Sequence, residues 1–156
     1  FLRIFSELKT DNVVGFIVGK EKNMGYYQKL STKLNINKQI FFTGPRLDVI
    51  DFYSISDIFL FPTHYDPFSN VVLEAMHFEN VVFTTSKNGA SEILHKSFIM
   101  NKPYDKNTAG LIDKILGNPT SLTAEKQKNR KISMDFSIEK NLTKTLDVIK
   151  KIEKKT

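Results

Sequence analysis

The 156-residue sequence has no cysteine and no tryptophan, and only 7 glycines and 5 prolines. Without cysteine there is no disulfide scaffold, no thiolate zinc site and no cysteine nucleophile, a composition that fits a reducing compartment. No apolar run approaches the ~18 residues that a membrane-spanning helix needs. The three histidines, His64, His77 and His95, stand far apart and outside H-E-x-x-H spacing, so they give no pattern for a metal site. Three motifs are missing as well. No G-x-G-x-x-G follows a strand-like run, no G-x-x-x-x-G-K-[ST] occurs, and there is no G-x-S-x-G elbow. These absences exclude a dinucleotide fingerprint, an ordinary P-loop and an α/β-hydrolase nucleophile. Apolar surface is plentiful: 40% of residues are hydrophobic, with 13 Phe and 5 Tyr, enough for one domain to bury a core.

The formal charge of +6 is unevenly placed. Residues 1–124 carry 13 Lys and Arg against 12 Asp and Glu, whereas residues 125–156 carry 10 against 5. The excess belongs to a basic tail on a nearly neutral body. A nucleic-acid module would interleave basic residues with aromatics on one face, and the tail offers only Phe136, so nucleic acid is not an expected partner. The chain opens at Phe1 in FLRIFSELK, without Met, and reads as the middle of something longer.

Short β-branched or aromatic runs alternate with helix-like stretches. The runs are VVGFIV (13–18), IFF (40–42), IFLF (58–61), VVFTT (81–85) and a weaker FIM (98–100). Helical patterns fall at 26–34, 46–56, 68–78, 90–95 and 106–116. Such alternation, with near-continuous apolar strands, predicts an α/β fold in which an open, Rossmann-like parallel sheet is flanked by helices. Gly117-Asn118-Pro119 is the clearest break, and two tail helices are expected over about 121–156. In the second, Ile138, Leu142, Leu146, Ile149 and Ile152 form an amphipathic stripe.

Ligands of open parallel sheets bind beyond the carboxyl ends of the strands. That rule selects Gly19-Lys20, the loop Thr43-Gly44-Pro45-Arg46, the segment Pro62 through Asn70, and Ser86 through Ala90. The third is the longest and most polar. It continues as PTHYDPFSNVVLEAMHF over 62–78. Asp66-Pro67 ahead of an apolar helical pattern reads as a helix start, with Asp at the N-cap and Pro in the first turn. Glu74 lies among Val71, Val72, Leu73, Ala75 and Met76, where a carboxylate is costly unless it meets water or a hydrogen-bonding partner. A ribose diol is a suitable partner, since one carboxylate accepts from both hydroxyls. Eight positions on a helix span ~12 Å. Two acids at that separation suit the ends of a nucleotide-sugar, with a diphosphate between them at the helix N-terminus.

Asp66-x7-Glu74, with FSNVVLEAM after the first acid, resembles the E-x7-E signature of retaining GT-B glycosyltransferases, the large family four. Other segments agree in order. FIVG (16–19) resembles that family's L-x-x-V-G strand, and IFFTG (40–44) its V-x-F-x-G. DFYSISDIFLFPT (51–63) resembles L-Y-x-x-A-D-x-x-x-x-P-S, NGASEI (88–93) resembles G-G-x-x-E-I, and MDFS (134–137) resembles a late F-S-W. The resemblance implies the C-terminal half of a GT-B fold, binding a nucleotide diphosphate sugar and using no required metal or cofactor. Asp66 and Glu74 would be the catalytic pair, Asp66 on the donor sugar and Glu74 on the ribose. The amides of Phe68 and Ser69 would help hold the sugar, and Asn70 and Val71 would meet the diphosphate. The Phe42–Gly44 strand end would line the base pocket, with Arg46 and Lys20 on neighbouring loops as further donor-binding candidates.

Two departures from the family pattern stand out. Asp66 is one methylene shorter than the usual Glu, which reshapes the sugar pocket. Ala90 takes the place of a second glycine, which narrows backbone freedom near the phosphates. By the resemblance, an R-x4-K phosphate-binding pair, the first strand of the domain and an N-terminal acceptor domain would precede Phe1, and this chain alone would not turn over. The implied setting is transfer of a hexose to a growing glycan in lipopolysaccharide or capsule assembly, by a cytoplasmic enzyme peripheral to the membrane. Two alternatives are a non-catalytic nucleotide-sugar-binding module and a GT-B-type sugar-nucleotide epimerase.

Overall fold

A computed structural model describes residues 1–153. Five short parallel strands alternate with helices: α1 (Leu2–Phe5), β1 (Gly15–Val18), α2 (Met24–Lys33), β2 (Ile40–Gly44), α3 (Val49–Ile55), β3 (Ile58–Phe61), α4 (Asn70–His77), β4 (Val81–Thr85), β5 (Ile99–Met100) and α5 (Thr108–Leu116). Two tail helices follow, α6 (Pro119–Ser133) and α7 (Ile138–Glu153). The expected α/β architecture with parallel strands flanked by helices is what forms.

The strands hydrogen-bond in two groups, β1 with β2 and β3 with β4 and β5, all parallel. Among the described residues no ladder joins the two groups, so the open sheet expected from the sequence forms as two hydrogen-bonded parts. Helix α1 packs against both. Ile4 packs with Val81 and Phe83 of β4, while Leu2 and Phe5 pack with Ile36 and Ile40, and Leu8 touches both clusters. The loop after α1 is anchored on α5. The Asp113 carboxylate accepts from the Lys9 and Thr10 amides at 3.0–3.1 Å and from the Thr10 hydroxyl at 2.7 Å.

Strand β4 is buried along its whole length, and this is why VVFTT contains no charged residue. Its two threonines return their hydroxyls to the neighbouring chain: Thr84 donates to the Phe61 carbonyl (2.9 Å) and Thr85 to the Thr63 carbonyl (2.8 Å). Neither is left unpaired in the core. Helix α4 buries Val72, Ala75 and Met76 completely, the i, i+3, i+4 face of an amphipathic helix, against Val82 and Tyr53.

Two local expectations change. The helix predicted over 90–95 is a single 3₁₀ turn, Gly89–Ile93, because Asn88 caps it: its side-chain oxygen accepts from the Ala90 amide (3.0 Å) and its carbonyl from Ser91 (2.9 Å). The tail begins at Pro119 rather than 121, with Asn118 as N-cap and Pro119 in the first turn. Helix α6 is tied to the body by Asn129, which donates to the Asn80 carbonyl at 2.8 Å in a buried position. Helix α7 buries none of its residues, and Ile138, Leu142, Leu146 and Ile149 lie exposed along the expected stripe. Residues 154–156 of the expected tail lie outside the described residues. No described helix is long and apolar enough to cross a membrane.

Candidate functional site

The carboxyl ends of β3 and β4 open into two loops, Pro62–Ser69 and Ser86–Asn88, whose backbones zip together. The Asp66 amide donates to the Lys87 carbonyl (3.1 Å), and the Gly89 amide donates back to the Asp66 carbonyl (2.9 Å). Asp66 is thus held by its main chain in an isolated parallel bridge with Asn88. Beneath it, Asn88 is almost wholly buried and anchored by its own side chain, whose amide nitrogen donates to the Thr84 hydroxyl at 3.1 Å. Gly89 allows the close approach. A Cβ there would stand 1.9 Å from the Pro67 carbonyl oxygen. The half-buried Asp66 side chain, with no hydrogen bond of its own, borders a cavity of about 280 Å³ with Tyr65, Ser86, Lys87, Ser91 and Glu92 on its other sides.

This geometry corrects the sequence reading of Asp66 as helix cap. The N-cap of α4 is Ser69, three residues later, and Asp66 lies in the bridge to Asn88, with a bend at Pro67 and Phe68 before the helix. The Asp66 peptide groups are taken up by the loop at 87–89, and the chain runs three residues further before it turns into α4. The ~12 Å spacing derived from eight helical positions does not hold either, because only the steps from Asn70 onward are helical. Ser69 is itself buried, and its hydroxyl makes no bond to the first-turn amides of α4. The helix therefore presents its N-terminus without a side-chain cap, at Asn70 and Val71, beside Phe68.

Glu74 lies on the outer face of α4, opposite Val72, Ala75 and Met76, and is exposed. That removes the expected cost of a carboxylate in apolar surroundings: it meets water, and it accepts a hydrogen bond from the Tyr53 hydroxyl of α3 at 3.2 Å. The partner, Tyr53, lies in the helical stretch expected over 46–56, where nothing in the sequence marks its hydroxyl. Burial in the core first, and then the Glu74 charge and hydrogen bond, raise the Tyr53 phenol well above its ordinary range, so it stays a donor.

Gly44, Arg46 and Lys20 sit at the ends of the other strand pair. Gly44 and Gly19 both take the left-handed region, at φ 68° and 133°, and the Gly19 amide donates to the Gly44 carbonyl at 2.9 Å, so the two loops leave the strands side by side. Arg46 is engaged by Asp48 in a two-pronged ion pair at 2.5 and 2.8 Å and lies over the Phe52 ring. That pairing raises the guanidinium and holds the Asp48 carboxyl below its usual range. Lys20 is exposed. None of these three residues lines the cavity at Asp66. Ala90, in place of the family's second glycine, turns its side chain into the core. Its methyl group is fully buried with the Tyr53, Val72 and Ala75 cluster, and the position that tolerates no side chain is Gly89. Lys87, Asn88 and Gly89 belong to the loop that the strand-end rule selects, but nothing in the sequence pairs them with Asp66. Their contact with Asp66 spans about twenty residues and leaves no local mark.

The capsular polysaccharide biosynthesis glycosyltransferase CapM of Staphylococcus aureus is 36% identical over 74 residues, which cover 46% of this chain and 20% of CapM. A glycosyltransferase from Rickettsia africae superposes with a TM-score of 0.84 at 24% identity, covering 99% of this chain and 44% of its own. Anabaena Alr3699/HepE, crystallised in complex with UDP-glucose, gives 0.80 at 18%, covering 94% and 44%. The chain thus spans less than half the length of each of these proteins. The family model for glycosyl transferases group 1 matches residues 1–134, which include every strand and both acids of the site, and the chain belongs to that family.

Proposed function

We propose that this chain is the C-terminal, donor-binding domain of a retaining glycosyltransferase of GT-B architecture. It binds a nucleoside diphosphate hexose and presents the sugar for transfer to a growing surface glycan of the lipopolysaccharide or capsule kind. The observation that carries the reading is the placing of two carboxylates on either side of an uncapped helix N-terminus. Asp66 is locked by main-chain bonds at the rim of a sugar-sized cavity, and Glu74 is held by Tyr53 on the outer face of the same helix.

Each part suits one piece of the donor. Asp66 accepts from sugar hydroxyls, with the Phe68 and Ser69 amides beside it. The diphosphate lies at Asn70 and Val71, where first-turn N–H groups and the helix dipole favour negative charge. As the bond to the sugar breaks, charge develops on that diphosphate, and preorganised donors there stabilise the leaving group. Glu74 accepts from the ribose diol, and the Phe42–Gly44 strand end lies on the base side, with Arg46 and Lys20 beyond it. The Anabaena relative's complex with UDP-glucose and the capsular role of CapM support the donor class and the setting. Transfer requires an acceptor-bearing domain besides this one, in a cytoplasmic enzyme peripheral to the inner face of the membrane.

The test is calorimetric titration of the chain with UDP-, ADP- and GDP-hexoses and with the bare diphosphates, in EDTA. At least one series binds, Glu74→Ala weakens bare diphosphate and conjugate alike, and Asp66→Ala removes only the increment due to the sugar. Failure of every series to bind overturns the proposal.

A further inference from the structure

Tyr53 makes an unusual set of contacts for a residue with no evident part in the chemistry. Its ring is buried, 7% exposed, and flanked by two aromatic rings. Phe78 stacks on it at 6.1 Å with planes 13° apart, and Phe59 meets it edge-on at 5.7 Å. The wholly buried Asn80 donates from its side-chain amide to the Tyr53 carbonyl at 2.8 Å, and the Asn80 carbonyl is in turn held by Asn129 of α6. Only the hydroxyl reaches the edge of this packing, and it is aimed at Glu74 Oε2. A phenylalanine would fill the same space. The oxygen therefore has a purpose apart from packing, and among the described residues Glu74, exposed on its helix, is the one group it hydrogen-bonds.

The geometry points to Tyr53 as a positioning residue that fixes the Glu74 carboxylate for a cis-diol and so makes the site select ribonucleotides over 2′-deoxyribonucleotides. This rests on the donor-binding reading given above. An exposed glutamate with free χ angles accepts from a diol only after being ordered, and the loss of side-chain freedom opposes binding. The phenol takes one lone pair of Oε2 and leaves Oε1 and the second lone pair of Oε2 in a fixed plane. A diol can then bridge both oxygens. A single hydroxyl, as in a 2′-deoxyribose, satisfies one and leaves the other to water. Since burial keeps the phenol protonated, the bond holds throughout the neutral range.

The experiment measures, on the chain and its variants, the dissociation constants of UDP, ADP and GDP, each against its 2′-deoxy counterpart, together with thermal melting. For the tightest-binding base, the parent is expected to prefer the ribose form. Tyr53→Phe, which keeps the ring packing, should weaken the ribonucleotide roughly five- to tenfold, leave the deoxynucleotide nearly unchanged, and so collapse the preference. In Glu74→Ala the preference is lost, and adding Tyr53→Phe changes it no further. Equal weakening of both sugar forms in Tyr53→Phe would mean a packing role and overturn the inference. So would an intact ribose preference in Tyr53→Phe alongside its loss in Glu74→Ala. An intact preference in Glu74→Ala would instead overturn the assignment of Glu74 to ribose, and with it this inference. Because Glu74 is exposed, that variant is expected to fold even if Tyr53→Phe lowers the melting temperature.

Discussion

Gly89→Ala tests whether main-chain docking, rather than any side chain of its own loop, sets the position of Asp66. The ideal Cβ would stand 1.9 Å from the Pro67 carbonyl oxygen and 2.9 Å from the Pro67 carbonyl carbon. Both are backbone atoms, so no rotamer change relieves the contact. Restoring even a 3.0 Å approach requires a relative movement of about 1.1 Å between the two loops. The bonds that join those loops, Asp66 amide to Lys87 carbonyl at 3.1 Å and Gly89 amide to Asp66 carbonyl at 2.9 Å, do not survive such a shift. Each contributes about 0.5–1.5 kcal/mol. Strain of overpacking adds about 1–3 kcal/mol. The sum is a destabilisation of about 2–6 kcal/mol. At ~2–4 °C per kcal/mol for a domain of this size, the melting temperature should fall by ~4–24 °C. The effect on binding is more diagnostic. Tyr53 and Glu74 are untouched, so bare nucleoside diphosphate should retain most of its affinity, while the increment due to the sugar disappears. Differential scanning calorimetry and titration calorimetry read the two effects. A variant that melts with the parent and keeps the sugar increment would refute the argument that the Asp66 bridge places the acid.

Further outcomes follow from other contacts. Asp113 accepts four hydrogen bonds from Lys9 and Thr10, and although burial opposes its charge, the Thr10 hydroxyl and the two amides hold its carboxyl below the ordinary aspartate range. A carboxylate with a depressed folded-state pKa stabilises above its unfolded value near ~3.9 and loses that contribution as pH falls through the folded value. Asp113→Ala should therefore cost about 1–3 kcal/mol at pH 7, with the gap to the parent closing below about pH 4 in urea titrations. A gap independent of pH would count against the charge being what matters. Removal of residues 138–156 should leave the melting temperature within about 2 °C of the parent, as expected of a helix that buries none of its residues. A large drop in the scan would show that α7 contributes to the fold. Asp66→Glu should leave stability unchanged, because the anchoring bonds use only main chain. It should alter the ranking of nucleotide hexoses in competitive titration, and an unchanged ranking would remove Asp66 from the sugar pocket.

The strands were legible because their chemistry is local. IFLF over 58–61 and VVFTT over 81–85 form strands with those bounds, since apolar β-branched and aromatic runs of this length have few other ways to be buried. The helix expected at 90–95 was not, because one side chain, Asn88, supplies the i→i+2 acceptor that turns the segment into a 3₁₀ cap. Asp66 was misread as a helix cap for one reason. Its immediate neighbours suit an N-cap, and the competing bridge comes from residues 87–89, which only the fold brings near. Tyr53 shows the same limit in another form. A tyrosine on the apolar side of α3 gives no sign in the sequence that its hydroxyl ends 3.2 Å from a glutamate twenty-one positions on.

The two acids therefore depend on the fold in different ways. Asp66 is placed by peptide groups, so its position is insensitive to its own side chain and sensitive to a methyl group added at Gly89. Glu74 is placed by a side chain, so its position is insensitive to loop movement and sensitive to a single phenolic oxygen on α3. Substitutions at Gly89 and at Tyr53 act on opposite ends of the proposed donor and share a neighbour in the Ala90 methyl, next to Gly89 and packed in the Tyr53 cluster. Beyond what passes through that methyl, their effects on affinity should add. The exception is any part of the donor that bridges both, and in the proposed pose that part is the diphosphate at Asn70 and Val71. Coupling between the two substitutions, measured separately for bare diphosphate and for the sugar conjugate, would thus report on how rigidly the helix N-terminus links the acids.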